Sequence, residues 1–331
     1  MPFNRQIGLA IETLLASTFL ATFVAAEEIQ LRMATVDAVS QPAIFMEGFA
    51  EIASNNAENV QIDVYTDGID TLDVMSLSRG VLDMSMVSPV TYDLMTTAGA
   101  MYAGETVIAE LSKAVQLIMW FPRGTFRFAV RADGPIQTLD DIDGAAVYLG
   151  PHTQSAAFYN AQSWISATTG LISGQDYKTV ADTWEIGAEA FRSGDVDVFV
   201  SACLDPCLRL EALSDEIHLR FIGPAYAENE QVEQFFEAGR SQASVQSEMQ
   251  DGMTSGPAIA TFQTVAGIAV YDATDDQSVY DITKAFWDNR EQMPSEPPWF
   301  AQIDIDYAAH ARGLIQFHPG AARYYKEVGE P

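Results

Sequence analysis

Apolar and polar residues alternate through Ile29–Ala34 (IQLRMA) and again through Val60–Tyr65 (VQIDVY), the period-two pattern of half-buried strands. Between them, residues 45–53 carry helical spacing, so the chain opens with a strand, a helix and a strand. The stretch TLDVMSLSRGVLDMSMVSP then predicts a helix ending at Gly80, an Asp83 three residues on, and a strand running into Ser88 and Pro89. The same plan returns in EIGAEAFRSGDVDVFVSACLDP, with Gly194, Asp197 and a strand running into Ser201. A glycine adopts the left-handed conformation that ends a helix, and the apolar strand after it suits the middle of a sheet. Ligands of open α/β sheets bind outside the carboxyl ends of such strands. Two lobes built on one device therefore predict an α/β fold with a cleft between facing strand-end loops.

The second lobe carries PIQTLDDIDGAAVYLG, read as a short capped turn at 138–143 and a strand at 145–149, then a loop at 150–155 leading into a helix that buries Phe158 and Trp164. Free backbone N–H groups at that helix start, with the hydroxyls of Thr153 and Ser155, suit an acceptor group on a small ligand. Ordinary N-capping by Thr153 or Ser155 is the alternative.

At 331 residues the chain has room for two domains, and 48% hydrophobic with 19% charged residues is a globular profile. Residues 1–26 have Arg5, an apolar run at 14–24 and small residues at Val24, Ala25 and Ala26, the layout of a cleaved secretory signal. Glu12 is out of place in such a segment, and an uncleaved anchor is the alternative, although the apolar run is short for a membrane span. A periplasmic location is expected. Lys and Arg number 17 against 46 Asp and Glu, for a net charge of -29. That excess repels nucleic acid and anionic membranes, and the acids form no calcium-loop spacing, so no nucleic-acid partner, metal or cofactor is indicated.

The two cysteines, Cys203 and Cys207, are compatible with a disulfide in an oxidising compartment, with two free thiols as the alternative. No Gly-x-Ser-x-Gly elbow, zinc-binding His pair or phosphate loop is present, and neither Ser88 nor Cys203 has an evident base, so the protein is read as a binder and not an enzyme.

The ending FHPGAARYYKEVG resembles that of the TAXI family of solute-binding proteins, the extracytoplasmic subunits of one branch of the TRAP transporters. LDDIDGAAVYLGP, SRGVLDMSMVSP and FRSGDVDVFVSACLDP, the last ending in Pro206, are similar to other segments of that family. The resemblance implies a two-lobed fold of the type II periplasmic binding protein kind with two hinge strands, TFRFAVRA at 125–132 and ATFQTVAGIAVY at 260–271. Lobe 1 would comprise 27–124 and 265–331, and lobe 2 would comprise 125–264. It further implies a protein that closes on a small organic acid or amino acid, with glutamate-like amino acids and dicarboxylates favoured, and delivers it to a TRAP-type permease; a monomer is expected. The loops at 34–45, 66–69 and 153–156 depart from the family's glycine-rich patterns. A sensor module for a signalling partner and a secreted hydrolase are the competing functions.

The ligand-binding candidates come from the loops and hinges. Asp37, Ser40 and Gln41 follow the first strand, and Ser88 and Tyr92 follow the strand of the repeated device, with Tyr92 alternatively a packed helix residue. Arg127 is placed to clamp a carboxylate, a surface ion pair being the alternative, and Arg123 is read as a solvated loop residue. Gly150, His152, Thr153, Gln154 and Ser155 form the second-lobe loop. Trp184 and Tyr226 are read as apolar cleft walls or as core. His318, Arg323 and the two tyrosines of the C-terminal motif are read as structural, with Pro319 in a first helical turn.

Overall fold

Backbone polar groups must pair, and the apolar runs of this chain solve that problem twice with one topology. The structure, a computed structural model, describes residues 28–225, 229–237, 239–294, 298–310 and 315–330; the segment 1–26 read as a secretory signal lies outside them, as does Tyr226. β1 (Ile29–Ala34), α1 (Gln41–Asn56), β2 (Val60–Tyr65), α2 (Asp70–Ser78) and β3 (Met84–Val87) build a parallel unit in which β1 pairs with both β2 and β3. α3 (Pro89–Thr97) and the single turn α4 (Ile108–Leu111) lead into β4 (Val115–Arg131), a 17-residue strand that leaves the first lobe for the second.

The second lobe repeats the plan. β5 (Ala146–Gly150), α5 (Ala156–Thr169), β6 (Lys178–Ala181), α6 (Trp184–Ser193) and β7 (Val198–Cys203) form a parallel unit with β5 between β6 and β7. α7 (Leu208–Ser214), β8 (Leu219–Ile222), α8 (Glu230–Glu237) and β9 (Arg240–Gln250) follow, and the 19-residue β10 (Met253–Tyr271) carries the chain back. α9 (Asp276–Asp288), α10 (Ile305–Ala309) and α11 (Pro319–Val328) then pack on the first lobe. In lobe 1 the antiparallel partner of β3 is β10, and in lobe 2 the antiparallel partner of β7 is β4. The two crossing strands pair with each other from Val115 to Thr125 against Gln263 to Tyr271. The hinge strands expected at 125–132 and 260–271 are thus the C-terminal parts of longer strands, the first of them ending at Arg131. This is a two-lobed α/β fold with two strands crossing between the lobes.

The repeated glycine and aspartate have a structural explanation. Gly80 and Gly194 both take positive φ, +69° and +87°. Asp83 accepts the backbone N–H of Arg32 on β1 at 2.8 Å, and Asp197 accepts that of Ala146 on β5 at 2.8 Å. In each lobe the carboxylate ties the incoming edge of the third strand to the first, which fixes where the strand-end loops emerge.

Each sheet half is covered on both faces. In lobe 1, Phe45, Phe49 and Phe286 pack with Tyr324 and Tyr325 on one side, and Leu77, Tyr102 and Trp120 pack on the other. In lobe 2, Trp164, Phe235 and Phe262 form one layer, while Tyr148, Phe191 and Phe199 form the second with the Cys203–Cys207 disulfide. The C-terminal motif is structural in the way its residues imply. His318 Nδ1 accepts from Gly320 N at 3.2 Å and caps α11, and Tyr325 donates to the carbonyl of Ile118 on β4 at 2.9 Å. Among the described residues, no helix is long and apolar enough to cross a membrane.

Candidate functional site

The facing loops enclose a cavity of about 620 Å³ between the lobes. From lobe 1 it receives the loop after β1, the segment 67–70 before and at the start of α2, Arg123 and Trp299; from lobe 2 it receives the loop after β5, the start of α6 and the β7–α7 connection. Polar residues emerge there because strand-end loops begin helices, and helix starts require caps. Ser40 caps α1 through Ala43 N, Ser155 caps α5 through Phe158 N and Thr183 caps α6 through Ile186 N. Between these caps the wall is largely apolar: Val36, Ile44, Ile69, Trp184, Leu208 and the disulfide all line it. A few polar groups in an apolar hollow of this size are what a small-molecule site requires.

Four side chains join the lobes across this space. Gln41 accepts from Leu204 N at 2.7 Å and donates to the carbonyls of Leu204 at 3.2 Å and Pro206 at 3.4 Å. Thr71 donates to the Gln154 carbonyl at 2.6 Å. Asp37 pairs with Arg209 at 3.3 Å, and the Arg209 guanidinium carbon lies 4.0 Å from the centre of the Trp184 ring. Burial pulls the Arg209 guanidinium below its usual value, and Asp37 opposes that shift. Asp70 is the fourth: its Oδ1 accepts from Ala156 N, the first residue of α5, at 3.1 Å and from Thr71 N at 3.0 Å. Asp70 and Arg123 are buried, at 3% and 7% exposure, with Oδ2 and Nη1 3.5 Å apart. Neither of those two atoms has a hydrogen-bond partner among the described residues.

With a cleft of this construction in place, a family model for the NMT1-like family matches residues 45–329. The chain belongs to the NMT1-like family. Solved structures resemble it in fold at low identity. A protein from Bordetella bronchiseptica RB50 shares 12% identity at a TM-score of 0.50, over 85% of this chain and 77% of that one. The alkanesulfonate-binding protein SsuA from Xanthomonas axonopodis pv. citri, bound to MOPS, shares 14% identity at a TM-score of 0.45, over 84% and 80% of the two chains. A TRAP periplasmic solute-binding protein from Chromohalobacter salexigens with bound D-glucuronate shares 12% identity at 0.45, over 90% and 92%. No curated protein matches the chain.

In this NMT1-like protein the residues singled out in the sequence fall into two groups. Asp37, Ser40, Gln41, His152, Ser155 and Trp184 line the cavity, and Trp184 also belongs to the core against Tyr148 and Phe199. The other described residues expected there do not line it. Arg127 is turned away: its guanidinium donates to Asp205 at 2.6 Å and to the Cys203 carbonyl at 2.9 Å, and burial lowers its pKa against the pull of Asp205. Ser88 is consumed in capping α3 through Thr91 N at 3.1 Å, and Tyr92 packs against the lobe 1 core. Gly150 lies beneath the start of α5, where a Cβ would sit 3.2 Å from Phe158 N. Thr153 and Gln154 face a second, more open cleft beside Ala100, Tyr159 and Arg240. The start of α5 is aimed at a side chain of the protein itself, Asp70.

Sequence reasoning missed Arg123, Asp70, Arg209 and Trp299. The alternating pattern begins at 125 and leaves Arg123 in an apparent loop, yet β4 starts at Val115 and carries Arg123 inside the hinge. Gly124, with φ of +124°, and a register shift at Thr264/Val265 interrupt the alternation, so parity cannot be counted from Arg127 back to Arg123.

Proposed function

We propose that this protein is an extracytoplasmic solute-binding protein that holds a small organic acid between its lobes without converting it, and delivers it to a TRAP-type membrane permease. The buried guanidinium of Arg123 at the wall of the interlobe cavity, with an unpartnered Nη1, is the observation that carries this reading. The carboxylate of the solute would bond Arg123, a charge-assisted contact of the strong kind. Its carbon body would lie against Val36, Ile44, Ile69, Trp184 and Leu208. Ser40 and His152 supply hydrogen-bonding groups around it. Closure of the lobes desolvates the acid, and the interlobe bonds of Gln41 and Asp37 stabilise the closed form. The TAXI-like segments support the permease partner and the periplasmic location.

Titration calorimetry of hexanoate, phenylacetate, succinate and glutamate into the wild-type protein and Arg123→Gln tests the proposal. Wild type should bind at least one of these acids with one-to-one stoichiometry and return it unchanged. Arg123→Gln should weaken that binding by at least roughly thirtyfold, the scale for truncating one partner of a buried charge pair. Equal affinity in the variant, or appearance of a reaction product, would defeat the proposal.

A further inference from the structure

The start of α5 and Arg123 together form a place built for an anion, and the protein supplies that anion from its own chain. Asp70 stands on lobe 1 at the first position of α2, yet its Oδ1 bonds Ala156 N of lobe 2. Its Oδ2 faces Arg123 Nη1 at 3.5 Å, outside hydrogen-bonding geometry, and both atoms are buried without a partner among the described residues. The Arg209 guanidinium is engaged by Asp37 and Trp184. Asp67 and Glu185 add two further acids to the cavity wall. Each cavity arginine therefore already has one carboxylate beside it, and the remaining charge of the wall is negative.

We propose that Asp70 is a specificity-determining residue that acts as a built-in competitor anion: it fills the acceptor position at the start of α5, places a negative charge beside Arg123, and restricts the cleft to solutes with a single negative charge. This rests on the solute-binding reading of the same cavity. A second anionic group would meet Asp70, Asp67 or Glu185 in a low-dielectric space, where like charges repel strongly and the wrong ligand is rejected by repulsion. A singly charged acid needs only the donors of Arg123 that Asp70 leaves free.

The experiment uses inorganic sulfate and succinate as probes of the full-length protein, read by calorimetry and by thermal shift in a chloride buffer of fixed ionic strength. Asp70→Ala removes the carboxylate and exposes both the Ala156 N–H and Arg123. It should bind sulfate at least about tenfold more tightly than wild type, the scale of one like charge a few ångströms away. Asp70→Asn keeps an acceptor for Ala156 N and removes the same charge, so it should gain affinity for both succinate and sulfate, the sulfate gain being smaller than in Asp70→Ala because Ala156 N stays occupied. It also serves as the test if the alanine variant does not fold. Unchanged sulfate and succinate affinity in a folded variant would overturn the inference. Failure of the wild type to bind any monocarboxylate would instead defeat the solute-binding proposal, because the sulfate result does not depend on the natural solute.

Discussion

Gln41→Ala should loosen the closed arrangement of the lobes while leaving each lobe intact. Its amide makes two good hydrogen bonds to Leu204, at 2.7 and 3.2 Å, and a longer one to Pro206 at 3.4 Å, all across the cleft. The Leu204 backbone is only partly buried, so water replaces the lost partner, and each good bond is worth a net 0.5 to 1.5 kcal/mol by the usual scale, roughly 1 to 3 kcal/mol for the pair. At about tenfold per 1.4 kcal/mol, the open population should rise by roughly 5- to 140-fold. A chain of this length has a radius of gyration of about 20 Å when closed. Small-angle scattering should show the variant expanded relative to wild type, whereas the melting temperature should fall only slightly because both cores are untouched. Gln41→Glu keeps the acceptor for Leu204 N and loses the donor, so it should lie between the two. Identical scattering profiles for wild type and Gln41→Ala would refute the assignment of Gln41 as a clasp.

Three further outcomes are expected. Asp73 lies behind the cavity with Oδ2 unpartnered, and burial together with the charge of Asp70 raises its pKa to about 7. A value raised above that of the unfolded chain means stability that is present below about pH 4 and lost as pH rises toward 7. Asp73→Asn should therefore stabilise the protein at pH 8, by on the order of 1 to 2 kcal/mol after solvent screening of a partly exposed group, with the gain vanishing near pH 4 in denaturant titrations. His318 is fully buried and neutral, with burial lowering its pKa more than the exposed Asp276 raises it. Its contribution is present above the unfolded value and lost as pH falls, so wild type should lose stability between pH 7 and 5 more steeply than His318→Asn; parallel pH profiles would contradict this. Gly124→Ala should cost roughly 2 to 4 kcal/mol by chemical denaturation, since a Cβ at φ of +124° would stand 2.3 Å from the Cys203 carbonyl carbon.

The strands with clean alternation were legible in the sequence, and β1 and β2 lie where their patterns place them. The hinge strands were legible only in their C-terminal parts. β10 starts seven residues before the expected 260 because residues 253–258 (MTSGPA) are exposed throughout and give no periodic signal. The twin glycine and aspartate revealed the repeated topology because the same backbone problem, ending a helix and tying the next strand to its neighbour, is solved in both lobes by the same residues. The cleft was less legible. Ser40, Ser155 and Thr183 are caps as well as wall residues, and capping leaves a pattern in the sequence. Arg123, Asp70 and Arg209 meet only through the packing of one lobe on the other, and contacts between residues 70 and 156 or 37 and 209 have no local signature. Arg127, with the stronger local pattern, is spent on Asp205.

The most direct test of a solute held between the two lobes is hydrogen–deuterium exchange with and without a saturating concentration of the tightest-binding acid of the calorimetric panel. Protection should appear together at residues 36–44 and 67–70 of one lobe and at 151–157 and 202–209 of the other, with the acid recovered unaltered. Protection confined to one lobe, or an exchange pattern that the acid leaves unchanged, would contradict the account.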